Sequence, residues 1–170
     1  MQDRQIDQLL QLIATGDNDA FETLYRQTSR GVFAFVYSYL KNYQDSEDAL
    51  QTVYIKVKLN VSQYRQGTNA RAWMLQIAKN TALNELKKRK QLEQLTVDIP
   101  QNDSSRKMDI TDIINKTLDE DERQIVVLHV LWGYKHREIA QILNCPTGTV
   151  TSKYKRSVQK MKQALKEAAI

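Results

Sequence analysis

The chain runs to 170 residues, of which 41% are hydrophobic and 26% charged, a balance that suits one medium or two small folded domains and excludes a wholly disordered chain. Lys and Arg outnumber Asp and Glu by 25 to 20, a formal charge of +5, so the placement of the cations matters more than their excess. The lone cysteine, Cys145, excludes an internal disulfide, and no run nears the roughly 18 apolar residues of a membrane span; both fit a cytoplasmic protein without membrane insertion.

Helical periodicity dominates and no alternating stretch is long enough to argue for a sheet, so the expected fold class is all-α. Ile6, Leu9, Leu10 and Ile13 give a first stripe, closed by Gly16. Asp17 is placed to cap a second helix with Phe21, Leu24 and Tyr25 inward. The apolar VFAFVYSYL, residues 32–40, reads as a third helix ended by Asn42. Asp45 then reads as the cap of the next, with Asp48 completing a capping box. Ala49, Leu50, Val53, Tyr54 and Val57 form its inward stripe.

After the loop VSQYRQGTN, Thr68 or Asn69 can cap a long helix from Ala70 to about Gln91. On a helical projection Ala70, Met74, Ile77, Ala78 and Ala82 point inward. Gln76, Asn80, Asn84 and Lys87 recur on the other side, an amide stripe running into the basic cluster Lys87, Lys88, Arg89 and Lys90. Trp73 stands between the two faces.

Residues 95–109, LTVDIPQNDSSRKMD, carry Pro, Asn, Asp and Ser without an apolar period. They read as a flexible linker, placed at 94–108 between domains at 1–93 and 109–170. Ile110, Ile113, Ile114 and Leu118 restart a helix. Asp119 caps another, with Ile125, Leu128 and Trp132 on one side and Gly133 at its end.

REIAQILN followed by CPTGTVTSKYKR has the spacing of a helix-turn-helix. Ile139, Ala140 and Leu143 face inward, Asn144 tolerates the left-handed turn, and Pro146 suits a helix start. On the second helix Val150, Tyr154, Ser157, Val158 and Met161 share the buried face. Thr149, Ser152, Arg156 and Gln159 then lie opposite, flanked by Lys153 and Lys155. Short hydroxyls and long cations on one face suit a DNA major groove, where they reach base edges and phosphates. The same pattern on its own also describes a solvated basic helix; the helix and turn directly upstream favour DNA.

Catalysis finds little support. His129 and His136 are the only histidines, Cys145 has no metal-ligand partner spacing, and the 5 glycines stand singly. The expectation is no enzyme, no metal and no cofactor.

The segment GTVTSKYKRSVQKMKQAL resembles the "GTVKSRLHRARKRL" pattern ending region 4 of sigma factors, and LDEDERQIVVLHVLWGYKHREIAQIL resembles the stretch before it. SEDALQTVYIKVK and ARAWMLQIAKNTALNELKKRK resemble "AEDLVQETFLRVW" and "FRTWLYRIARNLALDRLRRRR" of region 2. Both domains are thus similar, in order, to the extracytoplasmic-function group of the sigma-70 family of RNA polymerase sigma factors. The resemblance implies a two-domain, all-helical transcription initiation factor. Asp45, Glu47, Asp48 and Gln51 would bind the clamp helices of core RNA polymerase, a role compatible with capping. Tyr64, Arg65, Arg71 and Trp73 would offer stacking surfaces for a base extruded from the −10 element of promoter DNA, although Trp73 also reads as core. Gln76, Asn80 and Asn84 would read its edge, and Lys79, Lys87, Lys88 and Arg89 would follow phosphates. Thr147, Thr149, Ser152, Lys153, Lys155 and Arg156 would read the −35 duplex, with neighbouring residues on the polymerase flap. An anti-sigma factor is an implied partner. Thr52, Lys58, Asn84, Lys135 and Thr151 depart from the family pattern. The alternative is a stand-alone helix-turn-helix regulator, similar to LuxR-type proteins, with an N-terminal signalling or dimerisation domain.

Overall fold

The computed structural model describes residues 2–93, 114 and 116–168; the expected linker, Ile110 and Ile113 lie outside them. The chain divides into two compact units, Met1–Gln101 and Asn102–Ile170. Among the described residues there are helices and no strand.

The first unit is a bundle of α1 (Gln2–Ala14), α2 (Asn18–Leu40), α3 (Tyr43–Asn60) and α4 (Ala70–Glu93), with a 3-10 turn at Val61–Gln63. Asp17 caps α2, accepting from the Ala20 N–H at 2.9 Å. The separate helices expected around residues 21 and 32 are one continuous α2. Leu24, Thr28, Val32, Phe35 and Tyr39 are all buried along one side, so the stripe passes unbroken across Gly31. A mid-helix glycine costs only about 1 kcal/mol, less than burying that stripe returns. Tyr25, expected inward, is 43% exposed. It sits one residue off the stripe and lays its ring 4.7 Å from Tyr54 at the rim.

Lys41 ends α2 in the left-handed conformation, and the cap of α3 is Asn42 rather than Asp45. The Asn42 side-chain oxygen accepts from the Asp45 N–H at 2.9 Å. Asn caps as well as Asp and comes first after the turn, which moves Asp45 inside the first helical turn. The expected stripe from Ala49 to Val57 is buried throughout. Asn69, not Thr68, caps α4, through the Ala72 N–H at 2.9 Å. Ala70, Met74, Ala78 and Ala82 have no exposed surface; the small side chains bring α4 close to α2 and α3. Ile77 is only half-buried, and Leu75 and Thr81 take its place inside. Thr81 accepts a hydrogen bond from Lys56 Nζ at 3.1 Å.

The second unit holds α5 (Glu120–Val130), α6 (His136–Ile142) and α7 (Thr147–Ala168). Asp119 and Glu122 form a reciprocal capping box at the start of α5. Ile125, Leu128 and Trp132 are buried as expected, but so is every residue from Glu122 to Leu128. Gly133, at φ +67, lets the chain turn so that both Trp132 and Tyr134 point into the core. Ile139 and Ala140 are buried, and Asn144 adopts φ 51 in the tight turn. Leu143, Tyr154, Val158 and Met161 are half-buried, whereas Val150 and Ser157 are fully enclosed. The part of α7 facing α5 and α6 has neighbours to close over, and its other sides meet fewer among the described residues.

Candidate nucleic-acid and polymerase interfaces

The outer face of α4 is an amide ladder. Gln76, Asn80 and Asn84 are exposed, each four residues from the next and so stacked along one side. Gln76 Nε2 donates to Asn80 Oδ1 at 3.0 Å, which holds the Asn80 side chain and directs its amino group outward. Lys87 and Lys88 follow, exposed, with Lys79 half-buried on the flank. Lys88 pairs with Glu85 at 2.7 Å, and Arg89 comes within 4.0 Å of Asp45 on α3.

Beside the ladder lies the loop joining α3 to α4. The half-buried Tyr64 ring rests 5.3 Å from Trp73, itself half-buried. The Tyr64 hydroxyl donates to Asp7 Oδ1 of α1 at 2.7 Å and lies 3.1 Å from the Thr68 carbonyl. The structure therefore joins Tyr64 and Trp73 into one aromatic pair but commits the hydroxyl to the protein. Arg65 is exposed and Arg71 half-buried.

On α3, Asp48 and Gln51 are exposed, and Asp45 and Glu47 half-buried. The same line continues to Ile55, 59% exposed, and Leu59, 72% exposed. Sequence reading missed these two aliphatics. The signal was present, since both fall opposite the Val53–Val57 stripe, where a solvated helix carries polar residues.

In the second unit Thr147, Ser152, Lys155, Arg156 and Gln159 are exposed on α7, and Thr149 is half-buried. Their setting is acidic. Lys153 pairs with Asp121, a bond that holds its ammonium above the usual lysine value, and its side chain is 24% exposed. Glu122 is wholly buried. Its Oε2 accepts from Lys160 Nζ at 2.7 Å and from the Asp119 N–H at 3.2 Å. Its Oε1 accepts no hydrogen bond and faces Arg156 Nε at 3.9 Å. One carboxylate thus caps α5 and orients two cations of α7 (a role that its place after Asp119 does not reveal). Behind this face the rings of His129, His136 and Tyr154 cluster with centroids 4.6–5.0 Å apart. His136 Nδ1 lies 3.2 Å from Thr151 Oγ1, while its buried Nε2 has no partner. Burial, reinforced by His129, holds the His136 pKa below the usual histidine value.

Among the described residues, no three His, Cys, Asp or Glu converge as metal ligands, and no helix is long and apolar enough to cross a membrane. The family model for Sigma-70 region 2 matches residues 24–91, and that for Sigma-70 region 4 matches residues 110–161. The two matches fall in separate units and together span most of the chain.

The chain belongs to the sigma-70 family. Its similarity to extracytoplasmic-function members places it in that group. It is 25% identical over 181 aligned positions to the RNA polymerase sigma-H factor of Pseudomonas aeruginosa, covering 95% of this chain and 94% of that protein. It is 28% identical over 170 positions to the ECF RNA polymerase sigma-E factor of Haemophilus influenzae, covering 88% and 89%. Its fold is similar to that of the sigma factor RpoE of Bartonella quintana, solved in complex with the anti-sigma factor NepR, with a TM-score of 0.66 and 22% identity over 86% of this chain and 96% of that one. The region 2 match in the first unit disfavours the stand-alone regulator.

Three departures of this sigma factor from the family pattern have local contacts that the structure shows. Lys58, where the family carries Trp, reaches Asn18 Oδ1 at 3.2 Å and sets its ammonium 5.2 Å over the Phe21 ring, covering an aromatic face with a cation. Lys135 lacks the hydroxyl of a usual cap and makes no side-chain capping bond; the Glu138 carboxylate still accepts the Lys135 N–H at 2.7 Å, the half of a capping box that needs no hydroxyl. Thr151 spends its hydroxyl on the Thr147 carbonyl at 3.0 Å.

Proposed function

We propose that residues 1–93 of this transcription initiation factor bind core RNA polymerase and hold the −10 strand, and that residues 109–170 read the −35 duplex. The observation that carries the reading is that two faces of matching chemistry stay open to solvent, the amide ladder of α4 and the hydroxyl-and-cation face of α7. Unstacked bases present hydrogen-bonding edges that Gln76, Asn80 and Asn84 can satisfy, with Trp73, Tyr64, Arg65 and Arg71 as stacking or cationic neighbours. Lys87 and Lys88 follow the backbone. In the duplex, Arg156 and Lys155 suit purine edges and phosphates, and Thr147, Thr149 and Ser152 supply shorter contacts. Lys153 joins them only by exchanging Asp121 for a phosphate.

Polymerase binds along α3. Asp45, Glu47, Asp48 and Gln51 supply the charged rim, and Ile55 and Leu59 the apolar centre that most interfaces place among such residues. An anti-sigma protein is a further partner in this reading, supported by the likeness to a fold solved with one. The factor acts in the cytoplasm, where polymerase and promoter are. Run-off transcription with core polymerase and a cognate template tests the whole proposal. A transcript is expected only when the factor is added; no promoter-dependent transcript from any cognate template would overturn it. Gel shifts discriminate further: the factor alone should bind promoter duplex weakly and lose that binding in salt.

A further inference from the structure

We propose that Asp7 on α1 is the positioning residue of the loop at residues 64–69, setting the shape in which that loop meets the −10 strand. This inference rests on the function proposed above. The residues matched to region 2 begin at 24, so α1 lies outside them, yet it packs on the 3-10 turn and on α4. Its contact with the loop is specific. Asp7 Oδ1 accepts two hydrogen bonds from the loop, from the Tyr64 hydroxyl at 2.7 Å and the Gly67 N–H at 3.1 Å. Gln11 Nε2, one turn along α1, holds the other carboxylate oxygen at 3.0 Å.

The geometry of the loop depends on this grip. Gly67 has φ +75, a left-handed conformation open to glycine at no steric cost, and it turns the amide towards Asp7. Thr68 closes the turn by donating through both its N–H and its hydroxyl to the Arg65 carbonyl, at 3.3 and 2.6 Å. Arg65 and Gln66 are then left exposed at the tip. The ends of the loop are anchored by the Tyr64 N–H on the Val61 carbonyl, the Tyr64–Trp73 ring contact and the Asn69 cap of α4, and Asp7 adds a hold on the tip at Gly67. A tip anchored at its two ends keeps conformational freedom between them, and a carboxylate with two charge-assisted bonds reduces it. Asp7 makes no contact with DNA in this scheme. Its charge is met by three donors, and those donors hold its carboxyl below the usual aspartate range, so the grip persists at neutral pH.

The test uses the full chain with core polymerase and promoters varied singly at each −10 and −35 base. In Asp7→Ala, discrimination at the −10 bases should fall by roughly threefold to tenfold, the scale of the net contribution of one ordinary hydrogen bond, with −35 preferences unchanged. Tyr64→Phe, which keeps the ring on Trp73, should reproduce part of the loss, and Asp7→Asn should retain part. Hydrogen exchange supplies the readout independent of transcription: the Gly67 amide should exchange faster in Asp7→Ala while α2 and α3 amides do not. An unchanged Gly67 amide, or faster exchange with −10 discrimination intact, overturns the positioning role. Arg65→Ala and Gln66→Ala serve as controls. If they alter −10 preference while Asp7→Ala does not, this inference fails alone; if neither does, the reading of the loop as a DNA contact fails with it.

Discussion

The outer faces of α4 and α7 are both polar, yet they are built in opposite ways. On α4 the exposed amides bond to each other, Gln76 to Asn80, and the cations gather at one end. On α7 the cations are spread along the helix, and Lys153, Arg156 and Lys160 each face an acid of α5. The difference teaches where preorganisation comes from. α4 arranges its donors within one helix, whereas α7 depends on a neighbouring helix to aim its own. A face of the first kind should tolerate changes elsewhere in its unit. One of the second kind should be sensitive to residues that never touch DNA.

The largest expected effect falls on the amide face. Asn80→Ala combined with Asn84→Ala should weaken binding of the polymerase complex to single-stranded −10 oligonucleotide by about 100-fold, two hydrogen-bonding groups lost together. Retained binding would remove α4 from the reading surface. On the other face, Glu122→Gln should destabilise the second unit by about 2 kcal/mol, since it weakens the capping box and the Lys160 pair at once; a denaturant midpoint measured on the full chain checks it. The same change should blunt −35 preference, which an equivalent loss of stability in α2 should not.

Arg156→Ala should cost about tenfold in −35-dependent initiation if the guanidinium meets a base, with the −10 profile intact. A uniform loss at all promoters would instead mark it as a phosphate contact. Lys153→Ala should change stability by less than about 1 kcal/mol, because its Asp121 partner is largely in water. Stronger promoter binding in Asp121→Asn would indicate that the pair competes with DNA.

The faint last term is pH. His136 in the folded state titrates below the usual histidine value, so the unfolded chain binds its proton first. Stability of the second unit should therefore be full above about pH 6.5 and decline as pH falls from there through the lowered value. His136→Gln should flatten that slope in denaturant midpoints collected across the range.

Much of this was legible beforehand. The buried α3 stripe, the Asp17 and Asp119 caps, the turn at Asn144 and the exposed α4 amides all follow from spacing and local chemistry. Where expectation and structure part, a longer-range term intervened. The apolar runs around residues 21 and 32 read as separate helices, and burial along one side joins them across Gly31. Asp45 looked like a cap because it is acidic at a helix start, but Asn42 reached the free N–H groups first. Ile55 and Leu59 were readable as exposed aliphatics and went unread.

Periodicity, capping residues and turn chemistry are properties of neighbours along the chain, so most of the helices and most of their outward sides could be read from the sequence alone. Which charges on those sides are spoken for was not. The hold of Asp7 on Tyr64 and Gly67 and of Glu122 on Lys160 joins residues 57, 60 and 38 positions apart. Such pairs exist only once packing brings distant helices within hydrogen-bonding range, where a carboxylate selects its donors by distance rather than by place in the chain.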